Sequence, residues 1–120
     1  MERLTQQEEE IMLYFWKLGP SFIREVVNEM SEPRPPYTSV ASVVRNLEKK
    51  NYLSPFKLGN SIQYHPQIEE SDYKRHFLGG VVKNYFTGSY KEMVSFFVKD
   101  RKLTKKELQE LMEIIDSEES

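Results

Sequence analysis

"PYTSVASVVRNLEKKNYL", residues 36–53, carries two faces at helical spacing. Val40, Val43, Val44 and Leu47 recur at i, i+3, i+4 and i+7, the stripe of a helix with one buried side. With about 100° between successive residues, Thr38, Ser42, Arg45 and Lys49 gather opposite the valines, flanked by Ala41 and Asn46. Surface helices usually show Glu, Lys and Gln in such places. This one shows small side chains, hydroxyls and cations, and its only carboxylate, Glu48, lies off to one side. Thr38 or a neighbour is expected to cap the helix. Asn51 stands where a left-handed residue ends one, and Lys49 and Lys50 suit the negative end of its dipole.

Upstream, Thr5 and Glu8 form a capping box that opens a first helix. Its stripe is Ile11, Tyr14, Phe15 and Leu18, and Gly19-Pro20 ends it. Ser21 is expected to cap a shorter second helix with Ile23, Val26, Val27 and Met30 inward. "SEPRPP", residues 31–36, cannot continue a helix and reads as a loop. Downstream, residues 53–58 and 62–65 flank Gly59-Asn60-Ser61, a hairpin signal; Pro55 points to an edge strand or a strand start. Beyond Pro66 the pattern predicts helices over 71–86, 90–98 and 104–117, the last opened by a second capping box, Thr104 with Glu107. Three helices, a hairpin and three more helices is the order of a winged helix-turn-helix followed by a helical region. The predicted fold is thus mainly α with a small β-hairpin wing, divided at 1–68 and 69–120.

The 120 residues suffice for one ordinary domain, or a small one with a helical appendage. There is no cysteine, which removes disulfides, thiolate metal sites and a cysteine nucleophile. No apolar run approaches the roughly 18 residues of a membrane span. The start of the chain is polar and acidic, so no signal peptide or membrane insertion is expected and a cytoplasmic location is. Net charge is −2, but residues 35–66 hold Arg45, Lys49, Lys50 and Lys57 against Glu48 alone, a local excess of +3. A local stripe outweighs the total, because charges farther apart than about 10 Å are screened at ordinary salt.

That stripe and the small residues point to double-stranded DNA. A helix enters a major groove about 12 Å wide only if its outer face lets the axis come close. Hydroxyls at Thr38, Ser39 and Ser42 can bond phosphates or base edges, Arg45 a guanine, and Asn46 an adenine edge or a phosphate. Lys49, Lys50 and Lys57 supply attraction to phosphates regardless of sequence.

The second half suits a dimer. Tyr73, Phe77, Val81 and Tyr85 are spaced by four; Met93, Phe96 and Phe97 form another apolar stripe; Leu103, Leu108, Leu111, Met112 and Ile115 form a third. Short helices with this much apolar surface do not easily cover one another, whereas a two-fold copy offers the same patch in return. The alternative is that the stripes fold back on the first half as a monomer.

No enzyme, cofactor or metal signature is present. His65, beside Pro66, reads as a phosphate contact or plain surface, and His76 with Asp72 as a structural ion pair at i, i+4. Trp16 reads as a packing anchor. Two functions from different classes fit: a DNA-binding homodimer, or a winged-helix module whose third helix docks a protein. Salt dependence separates them, since only phosphate binding falls steeply with salt.

Over nearly its whole length the chain resembles the penicillinase-repressor family, the BlaI/MecI type. The resemblance is carried by "LTQQEEEIMLYFWKLGP" (4–20), "REVVNEM" (24–30), the opening stretch, "YHP" (64–66), "FTGSYKEMVSFFV" (86–98) and "KLTKKELQELMEII" (102–115). It implies a homodimeric bacterial repressor of transcription on palindromic operators. It also implies a membrane-anchored sensor protease as a partner that cuts within the dimerisation region. The family often has arginine where Asn46 and Asn60 stand and glycine where Asn51 stands; Asn60 is therefore a weaker expected wing contact than Lys57. The copper-responsive branch has a cysteine cluster that this chain lacks. The usual Asn-Phe cleavage dipeptide would fall near Phe96-Phe97, where no asparagine stands.

Overall fold

The computed structural model describes residues 1–119. They form, in order, α1 (Gln6–Leu18), β1 (Ser21–Phe22), α2 (Ile23–Glu29), α3 (Tyr37–Lys49), β2 (Leu53–Leu58), β3 (Ser61–Pro66), α4 (Glu70–Tyr85), α5 (Tyr90–Lys99) and α6 (Lys105–Glu119). The chain divides into two compact units, Met1–Phe77 and a second beginning at Leu78.

The Thr5–Glu8 capping box is formed in both directions: the Glu8 N–H donates to Thr5 Oγ1, and the Thr5 N–H donates to Glu8 Oε1 at 2.8 Å. The buried face of α1 is Glu8, Ile11, Met12 and Phe15. The predicted stripe has the right period but lies one turn late. Leu18 is exposed because the last turn runs past the core, and Met12 is fully buried instead.

Ser21 does not cap α2. It pairs with Tyr64 as half of β1, and its Oγ donates to the Gly19 carbonyl at 2.8 Å. Phe22 is the N-cap, and its N–H is satisfied by Glu25 at 2.9 Å. A two-residue strand leaves no periodicity to read, and its partner lies more than forty residues downstream.

In α3, Val40, Val43, Val44 and Leu47 are all buried as predicted. Each such side chain contributes about 1.5–3 kcal/mol. The cap expected at Thr38 or a neighbour is not formed: Pro36, two residues before Thr38, is the N-cap and has no side-chain acceptor, so the Thr38 hydroxyl is left outside the capping. At the other end Asn51 has φ 65°; its N–H bonds the Glu48 carbonyl and that of Tyr52 bonds Leu47. This is the Schellman closure, with asparagine at the left-handed position.

The sheet order is β1-β3-β2, all antiparallel. The β2–β3 register runs from Leu53↔Pro66 to Leu58↔Ser61, which leaves Gly59 and Asn60 as the turn. Gly59 has φ 63°, a conformation that glycine adopts without a steric cost. Pro55 lies on the edge strand, where a missing N–H costs no ladder bond.

After the hairpin the chain is pinned to α1. Trp16 Nε1 donates to the Ile68 carbonyl at 2.8 Å. Tyr73 is buried in the first unit's core; its ring packs on Trp16 and Tyr52, and its hydroxyl donates to Glu9 at 2.5 Å. The opening of α4 therefore belongs to the first unit, which runs past residue 68 to Phe77. Tyr73, expected at a dimer interface, is a core residue.

In the second unit Ser89 caps α5, and Thr104 with Glu107 forms the predicted box before α6. No side chain of α5 is buried.

Candidate nucleic-acid interface

Burial of Val40, Val44 and Leu47 sets the rotation of α3 and so decides what its other side presents. Thr38, Ser39, Ser42, Arg45, Asn46 and Lys49 are all exposed, as are Lys57 and Asn60 on the hairpin. Glu48, the lone carboxylate, is half-buried.

Two residues from the expected set lie elsewhere. Ala41 is 7% exposed and belongs to the core cluster, so its methyl forms part of the helix's packing rather than its outer face. Lys50 turns back to α1: its Nζ lies 2.6 Å from Glu8 Oε1 and donates to the Arg3 carbonyl. A cation held by a buried carboxylate is not available to a phosphate. Burial by itself would hinder ionisation of Glu8, but the Lys50 ammonium and the Thr5 donors outweigh it and hold the carboxyl below its ordinary value.

Ion pairing divides the first unit's basic side chains. Lys17, Arg34, Lys50, Lys74 and Arg75 each pair with a carboxylate, and Arg3 stacks over Phe77. Among the described residues, Arg45, Lys49, Lys57 and Arg24 have no carboxylate partner. Three of these four were singled out from sequence. Arg24 was missed, because α2 shows no basic pattern; its guanidinium carbon sits 4.9 Å from the centre of the Tyr37 ring.

α3 and the hairpin meet across a cleft of about 460 Å³, bordered by Arg24, Tyr37, Ala41, Arg45, Asn60 and Tyr64 among others. Tyr37, Ala41 and Arg45 are successive steps of one i, i+4 ridge, so the small Ala41 makes the floor between two large walls. Burial pushes the Tyr64 phenol above its ordinary value; Glu48 and Tyr37 add to this, and Arg45 acts in the opposite sense. Lys57 stands opposite Ile62 in register, and Ile62 also borders the cleft, so the lysine shares that face of the wing.

The histidines hold no comparable position. His65 Nε2 lies 2.8 Å from Gln63 Oε1, with its ring against Phe56. The expected His76–Asp72 pair is absent: Asp72 bonds Arg75 at 2.6 Å, whose longer side chain reaches it from one turn on.

Three helices, a hairpin tied by β1 to the start of α2, and a third helix with a small, cationic outer face define a winged helix-turn-helix protein. The sequence profile of the penicillinase repressor family matches residues 4–117, and the chain belongs to that family. It is a family of repressors, not of enzymes. The penicillinase repressor of Bacillus licheniformis is 28% identical over 116 residues, covering 95% of this chain and 90% of the relative. The methicillin resistance regulatory protein MecI of Mammaliicoccus sciuri is 24% identical over 115 residues, covering 94% and 93%. Among solved structures, the ligand-free organohalide-sensing transcriptional regulator RdhR superposes with a TM-score of 0.52 at 14% identity, a likeness of fold. The match covers 96% of this chain and 62% of that protein, so the chain spans less than two thirds of its length. Among the described residues no helix is long and apolar enough to cross a membrane.

Proposed function

We propose that the chain is a homodimeric transcriptional repressor that places α3 in the major groove of a palindromic operator and its β2–β3 wing on the flanking backbone. The observation that carries this reading is the segregation of charge: five basic side chains of the first unit are neutralised internally, while Arg45, Lys49 and Lys57 stand unpaired on α3 and the wing. Unpaired cations on one surface are what a phosphate polymer selects. Arg45 reads a base, Thr38, Ser39, Ser42 and Asn46 bond edges or phosphates beside it, and Lys49, Lys57 and Asn60 hold the backbone.

A second copy of the chain covers the apolar residues that the second unit leaves open. Tyr85, Phe96, Phe97, Leu111 and Ile115 are all exposed, with Val81, Met93 and Leu108 half-buried beside them. A self-complementary apolar patch suits a two-fold interface, and two recognition helices about 34 Å apart meet successive major grooves.

Selection of bound duplexes from random DNA tests the whole reading. The expected product is a pair of inverted half-sites about 10 bp apart or a multiple of that. Binding is expected to weaken at least about 1000-fold between 50 and 200 mM salt if six or more phosphates are neutralised. No retained duplex at 50 mM salt overturns the reading; a salt-insensitive protein ligand in its place would make the chain an interaction module.

A further inference from the structure

The cleft between α3 and the wing contains no acidic side chain in its lining and is bounded by two guanidiniums, Arg24 and Arg45, that no carboxylate neutralises among the described residues. Arg24 comes from α2, outside both elements that the proposed reading assigns to DNA. Its position is not that of a free surface arginine: the guanidinium lies over the exposed Tyr37 ring, 4.9 Å from the centroid. Stacking on an aromatic face restrains the planar group while leaving its N–H edge free to donate. Across the cleft stand Asn60 and Ser61 at the wing's turn, which bring an amide and a hydroxyl. Ala41 on the floor leaves room between Tyr37 and Arg45.

We infer that this cleft seats the sugar–phosphate strand bordering the groove that α3 enters, and that Arg24, held on the Tyr37 ring, contacts one of its phosphates. The inference rests on the operator-binding reading and adds to it a third element, a contact residue outside helix and wing, and a structural role for Ala41. A nucleic-acid backbone is the fitting occupant because donors line both walls and no acid opposes it. Arg24 carries no base information; it fixes register on the duplex.

The test compares wild type, Arg24→Gln, Arg24→Lys, Tyr37→Leu and Lys49→Ala on one selected operator and one unrelated duplex, across a salt series. Arg24→Gln is expected to lose about eightfold affinity per protomer near 0.1 M salt on both duplexes alike, with the slope of log affinity against log salt smaller by about 0.9 per protomer. Arg24→Lys is expected to keep the slope. Tyr37→Leu keeps the charge but loses the platform, so it keeps the slope and loses a few-fold in affinity. Arg24 is exposed, so an unchanged melting temperature shows that the fold is intact in the glutamine variant. If Arg24→Gln matches wild type in slope while Lys49→Ala lowers it, the cleft is no backbone seat and the operator reading stands. A changed base preference in Arg24→Gln, with its slope intact, also overturns the inference. If neither duplex is bound by wild type in dilute salt, both readings fall together.

Discussion

The first unit, Met1–Phe77, buries sixteen apolar side chains in one cluster, six of them from α1 and α2 and five from α3. From Leu78 on, Val82 is the one apolar side chain of like burial among the described residues, while Tyr85, Phe96, Met112 and Ile115 are each more than half exposed. Both regions have helical sequences with clean apolar stripes and both have well-formed caps. What separates them is what lies opposite each stripe. In the first, three helices and a sheet close on one another. In the second, much of each stripe stays open. Local sequence makes a helix; only an opposing surface makes a core.

The difference is open to direct attack. The largest effect is expected from Phe97→Asp, which puts a charge into the proposed two-fold contact. Dimer dissociation should strengthen by about 100-fold or more, roughly 3 kcal/mol, and sedimentation at micromolar concentration should show half the mass. An unchanged dimer mass would mean that the exposed stripe of α5 is not the contact. Next, Arg45→Ala should cost about 1–3 kcal/mol of operator affinity and relax one base position, without altering the melting temperature. A gel-shift titration against single-base operator variants reads it, and intact discrimination at every position would remove Arg45 from the reading face.

Lys50→Met probes the closed region. It strands Glu8, so stability should fall by about 2 kcal/mol, measured by urea unfolding, while the salt dependence of DNA binding stays as in wild type. A reduced salt slope would return Lys50 to the contact surface. Lys49→Ala should do the reverse: unchanged stability, about eightfold weaker binding per protomer near 0.1 M salt, and loss of about 0.9 from the slope. The smallest effect is the pH dependence of Glu8. Its folded pKa lies below the ordinary 4.5, so its contribution is full above that value and is lost as pH falls through the folded one. The stability gap between wild type and Glu8→Gln should therefore close on acidification; a gap that is constant down to about pH 3 would show that ionised Glu8 contributes nothing.

The elements best read from sequence are those whose signal is local. Val40, Val43, Val44 and Leu47 repeat at helical spacing and are all buried. The Thr5–Glu8 box and Asn51 mark helix ends through bonds made within a few residues. Gly59-Asn60 supplies the turn the hairpin needs. Four of the misses share a cause, a partner distant in sequence. Ser21 looked like a cap and is a strand because Tyr64 lies beside it. Lys50 resembled Lys49 until Glu8 of α1 was set against it. Tyr73 shared a stripe with Phe77 and Tyr85, but Trp16, Tyr52 and Glu9 draw it into the core. Arg24 had no neighbours in sequence to mark it; Tyr37 reaches it only after the proline-rich loop folds back.

By itself, then, the order of residues determined the helices, the hairpin and the character of α3's outer face, because hydrophobic period, turn chemistry and capping act over a turn or two of chain. Tertiary structure alone decided which cations stay free. An ammonium four residues from Arg45 and one bonded to Glu8 look the same along the chain, and they differ only in whether a carboxylate from another helix arrives within reach.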